Sequence, residues 1–188
     1  MKKTLLTLCL LSSGIPLSHA SDTYITDPNH TFARFSYSHL GYSTQLSRFD
    51  KVSGTITLDT VAHTGSADIT IDPRSVSTGS DHLNEHLQEA DFFDTEKFPT
   101  AHFQGNHMKF NGTIPTEIDG DLTIKGITHP VALSITSFKC MPHPMLHKDA
   151  CGADATTVVK RSDYNMSKYV PYVGDEVTIT VSVEAIKQ

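Results

Sequence analysis

The chain of 188 residues has no apolar run approaching the ~20 residues that a membrane-spanning helix requires. Its longest candidate, Leu5, Leu6, Leu8, Cys9, Leu10 and Leu11, is broken at once by Ser12, Ser13, Gly14 and Pro16. A soluble product is therefore expected. Basic residues are also scarce, with 15 Lys and Arg against 21 Asp and Glu, and no basic stripe offsets the deficit. A phosphate backbone would be repelled, which removes nucleic acid from the partners to consider. No GxSxG elbow is present, and no reactive cysteine stands beside a histidine, so nucleophilic hydrolysis has no sequence support. His82 and His86 stand four apart, a spacing that can clasp a metal, but Leu83-Asn84 follow His82 where an HExxH zinc site needs glutamate. With no further ligand placed by the sequence, no metal site is expected.

The N-terminus has the three parts of a secretory signal peptide: Lys2 and Lys3, the short apolar run, and Ser18-His19-Ala20 before a polar stretch. Cleavage is expected between Ala20 and Ser21. Residues 1–20 then form a signal peptide and residues 21–188 a single domain exported to the periplasm. Loss of Lys2 and Lys3 leaves 13 basic against 21 acidic residues, a formal charge of −8, together with ten histidines. Cys140 and Cys151 remain, and an even count in an exported chain points to one disulfide. The segment they bound holds Met141, His143, Met145 and His147, soft donors that suit copper or zinc. A metal-handling or stress-protective protein is the alternative this loop leaves open.

The dominant pattern has period two. Val52, Gly54, Ile56 and Leu58 alternate with polar residues, as do Ala67, Ile69 and Ile71, then Ile118, Gly120, Leu122 and Ile124, then Val131, Leu133 and Ile135. Val177, Ile179, Val181, Val183 and Ala185 make the clearest strand, and weaker ones fit 32–39, 101–110 and 153–161. Asn111-Gly112 predicts a hairpin, and 126–130 a short connection. About eight antiparallel strands result, each with one apolar face, and almost no amphipathic helix to cover them. The sheet must close on itself as a barrel or fold as a sandwich. The regular meander favours the barrel, and eight strands leave room for one slender ligand. One short helix is predicted, capped by Thr78 with Asp81 three residues later, carrying Leu83 and Leu87 on one face and ending near Asp91. It is placed across one mouth of the barrel.

Several stretches carry a family resemblance. His39-Leu40-Gly41-Tyr42-Ser43, His86-Leu87 before Asp91-Phe92-Phe93-Asp94, Lys97-Phe98-Pro99 with Phe103, the run Gly120 to Val131, Lys160-Arg161-Ser162-Asp163-Tyr164, and Val173-Gly174-Asp175-Glu176-Val177 occur in order along the chain. Together they resemble the YceI-like family of lipocalin-like proteins, in the subgroup with a cysteine-containing loop. The resemblance implies an all-β, extended antiparallel eight-stranded lipocalin-like barrel with a short helix near one mouth. It also implies a periplasmic protein that binds polyisoprenoid chains, such as those of quinones, or other long amphiphiles. Three departures stand out. Leu83 occurs where the family usually has arginine, Ser47-Arg48 precede Phe49 where glycine is common, and Asn165 replaces a frequent glycine, a mild change because asparagine tolerates positive φ.

The residues expected to line the ligand site are Phe35, His39, Tyr42, Phe49, Leu83, His86, Leu87, Phe92, Phe93 and Phe103, on the ground that aromatic and apolar side chains line such pockets. His86 is expected to hydrogen-bond the helix to the barrel, and His82 to be solvated. The expected function is binding, not catalysis: a carrier or reservoir for a long-chain isoprenoid or fatty amphiphile. No cofactor is implied beyond a bound lipid such as a polyprenyl quinone. Transient membrane contact is compatible with the sequence, and the oligomeric state is left open, a homodimer among the options.

Overall fold

The computed structural model describes residues 21–188, so the expected signal peptide and Ala20 lie outside the described residues. Eleven strands form one antiparallel sheet: β1 (Asp22–Thr26), β2 (Phe32–His39), β3 (Ser43–Phe49), β4 (Val52–Asp59), β5 (Thr64–Ile71), β6 (Val76–Ser77), β7 (Ala101–Asn111), β8 (Ile114–Ile124), β9 (Ile127–Pro142), β10 (Asp149–Lys160) and β11 (Glu176–Lys187). One helix, α1 (Asp81–Gln88), lies between β6 and β7. The sheet closes because β11 also pairs with β1, Tyr24 opposite Lys187.

The ring has eight positions. Along β11, residues 178–182 pair with β2 and residues 185–187 with β1, so β1 and β2 are two halves of one strand. β3 runs beside β2 and β4 beside β1, forming a second interrupted strand. Pro28, which has no N–H to give a ladder, stands in the first interruption. The break is repaired locally: Asp27 N–H donates to Glu184 O at 2.7 Å, and Thr31, 1% exposed, donates its hydroxyl to Glu184 O and accepts from Glu184 N–H. At the second break, Asp50 and Lys51 N–H groups bond to the carbonyl and hydroxyl of Ser75 in a 3-10 turn (Pro73–Ser75). β1 and β6 are short pieces beside these breaks, too brief to show an alternating pattern in the sequence, and β3 carries only Leu46 and Phe49 as apolar residues, which fall on opposite faces.

The hairpin at Asn111-Gly112 is present, with Asn111 opposite Ile114 and Gly112 at φ 59°. The next connection differs from the expectation. Its turn is Lys125-Gly126, with φ 53° and 73° as a tight hairpin requires, and 127–130 already pair with β8. The helix also differs at both ends. Its N-cap is Ser80, whose hydroxyl accepts from Leu83 N–H, while Thr78 accepts from Ser80 N–H and donates to Asn84 Oδ1. Thr78 thus organises the approach to the helix but does not cap it. The helix stops at Gln88, where Phe93 N–H turns back to Leu87 O and aims the following residues into the barrel.

Candidate functional site: an apolar lumen

The inward faces of the strands enclose an apolar cavity of about 350 Å³. Register explains its walls. Thr157 pairs with Ile179 and Ile179 with Phe35; one layer along, Ala155 pairs with Val181 and Val181 with Ala33; all of them line the cavity. The space comes from small residues set among large ones: Ala33, Ala67, Ala101, Ala153 and Ala155 line the same lumen as Ile56, Ile69 and Leu133, with Ala67 directly beside Ile56 in the register. Inward residues of β10 and β11 such as Ala155, Ile179 and Val181 are only half-buried, because the surface they keep faces the lumen.

One end of the lumen is covered by α1 and the turn that follows it. Leu83, His86 and Leu87 come from the helix, and Phe92 and Phe93 from its stop. Phe93 stands edge-on to Phe35 and Phe49 at centroid distances of 5.9 and 5.3 Å, so the helix is fastened to β2 and β3 through three rings. Lys125 at the β8–β9 turn is buried and donates from Nζ to Ala90 O and Asn165 O, tying the turn to the helix end and to the 3-10 turn Arg161–Tyr164. Arg161 is buried in the same wall. Its guanidinium donates to the carbonyls of Gly174, Val173 and Met166, and burial lowers its pKa. Tyr37 also faces this end, its pKa raised by burial. At the far end, Cys140 and Cys151 lie directly opposite each other on β9 and β10 and are joined by a disulfide, with Cys151 in the lumen wall. The bridge takes both thiolates out of any metal-ligand set.

Nine of the ten residues expected at the site line this cavity: Phe35, His39, Phe49, Leu83, His86, Leu87, Phe92, Phe93 and Phe103. Tyr42 does not. It sits in the β2–β3 turn with its N–H bonded to His39 O, and at 88% exposure its ring points to solvent. His86 is not the expected link from helix to barrel; its Nδ1 meets Glu89 Oε2 at 3.1 Å, and its ring packs edge-on to Phe92. His82 is exposed as expected. The small residues, Tyr37, Arg161, Tyr164 and Tyr169 were missed. For the alanines a signal existed in Ala153-Asp154-Ala155, where an inward face alternates without bulk. Among the described residues, Asp27, His30 and Glu184 place three potential metal-ligand atoms within 4.8 Å of one another.

The comparisons with known proteins agree with this architecture. The YceI-like domain family matches residues 24–185. Protein YceI of Escherichia coli O6:H1 is 32% identical over 195 aligned residues that cover all of both chains. Among solved structures, BcnA of Burkholderia cenocepacia is similar at a TM-score of 0.73 and 24% identity, covering 85% of this chain and 98% of its own. A polyisoprenoid binding domain from Saccharophagus degradans, implicated in plant cell wall breakdown, is similar at a TM-score of 0.64 and 16% identity, covering 88% and 98%. At these identities the two structures speak to the fold, the closed eight-position barrel with its helix. The family match over nearly all of the described residues, joined to the full-length likeness to protein YceI, establishes that this chain belongs to the YceI-like family.

Proposed function

We propose that this protein holds a polyisoprenoid or another long-chain amphiphile inside its barrel, as a carrier or reservoir in the periplasm. The observation that carries the reading is the continuous apolar lumen of about 350 Å³ beneath α1, within the size range of small-molecule sites. Each methylene withdrawn from water contributes roughly 0.8 kcal/mol, while association and ordering cost about 4 to 15 kcal/mol. Short tails are therefore released and long prenyl or fatty chains retained. The description of the Saccharophagus degradans domain as polyisoprenoid binding supports the same ligand class. A polar head is then placed at the helix end, where Arg161, Tyr37 and His39 supply the polar atoms of the wall. The signal-like N-terminus supports the periplasmic location. The reading needs no bond-making chemistry from the protein.

Mass spectrometry of an organic extract from natively purified protein tests this. A long-chain amphiphile at near-stoichiometric amount is expected. Protein that yields none, and takes up no added prenyl quinone, overturns it.

A further inference from the structure

Of the residues that line the lumen, only His39 and Tyr169 are themselves exposed. Both stand at the helix end, and the backbone holds their segments together: His39 pairs with Val173, whose N–H donates to Tyr169 O at 2.9 Å. The Tyr169 ring lies 6.4 Å, centroid to centroid, from the rings of His86 and Phe92, which come from α1 and its stop. Among the described residues, the lumen wall therefore reaches the surface between the end of β2 and segment 169–173, beside the helix. At the opposite end no lining residue is exposed, and Tyr24, Leu58 and Ala185 are buried there.

This opening has an apolar rim. Leu40 and Tyr42 stand on the β2–β3 turn and Tyr172 on the facing segment, and Leu40 N–H donates to Tyr172 O at 2.8 Å, so the two segments make one surface. Tyr172 is 73% exposed, Tyr169 51% and Leu40 48%; Tyr42, Tyr169 and Tyr172 are all the exposed aromatic residues among the described ones. Scattered apolar residues on a surface need no explanation, but a group of them around the mouth of an apolar cavity marks a contact. Tyrosine joins an apolar ring to a polar hydroxyl and is enriched where the hydrocarbon of a membrane gives way to water. The occupant follows from the opening that these rings surround, since a long-chain amphiphile resides in a bilayer before it enters the barrel. Charge narrows the choice further. Asp81, Glu85 and Glu89 are exposed on and just after the neighbouring helix, and the chain as a whole is acidic, so an anionic surface would be repelled.

We propose that the rim formed by Leu40, Tyr42, Tyr169 and Tyr172 is a membrane-docking surface, which seats the opening of the lumen on a bilayer of zwitterionic lipid so that an amphiphile passes between bilayer and barrel without crossing water. The choice of occupant rests on the lumen being the lipid site. It also gives Tyr42 a task outside the lumen: the ring that points to solvent enters the headgroup region.

The test uses phosphatidylcholine vesicles, with and without a prenylated benzoquinone, and two double variants. One carries Tyr42→Ser with Tyr172→Ser at the rim, and the other Met145→Ser with Leu146→Ser on the exposed loop between β9 and β10 at the far end. Neither pair lines the lumen. The wild type and the far-end variant are expected to co-sediment with the vesicles equally, and the rim variant to bind roughly tenfold more weakly. Quinone uptake from vesicles should slow by a similar factor in the rim variant, while quinone supplied in detergent should fill all three proteins to the same extent. Wild-type protein that stays in the supernatant, or a rim variant that binds as well as the wild type, would overturn the proposal. Binding that arises only when phosphatidylglycerol is added would also overturn it, in favour of an electrostatic contact. So would a dimer, formed without vesicles and abolished by the rim substitutions, since a second copy would then cover the rim. If no protein takes up quinone by either route while the rim still governs sedimentation, lipid carriage falls and the docking surface stands.

Discussion

Gly105 and Gly120 stand directly opposite each other on β7 and β8, and a Cβ on Gly120 would lie 2.5 Å from Gln104 O, 2.6 Å from Gly105 Cα and 2.8 Å from the Phe103 ring. The close approach of these two backbones gives Phe103 its place in the lumen wall. Gly120→Ala must push a strand away, and it is expected to cost about 1 to 3 kcal/mol, the range for overpacking. Thermal or urea unfolding measures this; a neutral result would show that the strands separate freely.

A second prediction separates an open lumen from a filled core. Ala155→Phe adds bulk where the wall is half-buried and faces space, so the protein should stay folded, near its original stability, and lose long-chain lipid. Phe103→Glu, by contrast, places an unpaired charge at a buried position and should remove most of the stability. Extracted lipid and unfolding temperature on the same samples decide the matter. Full lipid retention by Ala155→Phe would mean the chain runs elsewhere.

The disulfide closes a segment of 11 residues in sequence separation. Removing it with Cys140→Ser and Cys151→Ser together is expected to destabilise the protein by up to about 3 kcal/mol. Thiol titration of the native, unreduced protein should find no free thiol on either residue. Reaction at both positions would contradict the bridge.

Acid should weaken the fold. Asp27, Asp72, Asp91, Asp119 and Asp154 are all held below the ordinary value of 3.8, chiefly by hydrogen bonds from His30, Arg74, Lys168, His107 and Ser137 respectively. Because their folded values are depressed, the stability they contribute is present above the unfolded value and is lost as pH falls through the folded ones. Unfolding temperature should drop below about pH 4. His30 works in a separate window: its pKa is raised by the bond to Asp27, so its contribution is present below about 6.5 and fades as pH rises through the higher folded value. An unfolding temperature that stays level down to pH about 2 would refute the carboxylate effect.

Much of the barrel was legible because its long strands each keep one apolar face, and period two survives in sequence wherever one face looks inward. Val177 to Ala185 and Val52 to Leu58 show this plainly. The pieces at 22–26 and 76–77 were not legible, since each is held by partners distant in sequence and stands beside breaks bridged by Thr31 and Ser75; the piece at 43–49 pairs with its neighbour β2 but carries only Leu46 and Phe49 as apolar residues, on opposite faces. Nine lining residues could be named because bulky apolar side chains advertise a wall. The residues that make the space could not be named so easily. Alanine carries no signature of what it leaves unfilled, and only the register of β10 against β11 shows Ala153 and Ala155 facing the lumen. Tyr42 misled for the opposite reason: an aromatic ring in a motif looks like a wall, yet a hairpin tip turns it outward. Tyr164 is visible in the sequence only as part of a motif, and its near-complete burial is a property of the packed interior.

The pairing of β1 with β11 has a consequence for how the molecule comes into being. Tyr24 must find Lys187, so the contact that seals the ring joins nearly the whole length of the described chain and pays the largest loop-closure entropy of any in the sheet. Until β11 docks, β1, β2 and β10 each present a bare edge, and the lumen is an open trough with its apolar floor exposed. A nascent chain in that state is both sticky and able to take up a hydrophobic guest from the side. Loading during assembly is thus open to ligands too long to thread past the helix afterwards, and refolding in the presence of lipid should fill barrels that addition to the finished protein leaves empty.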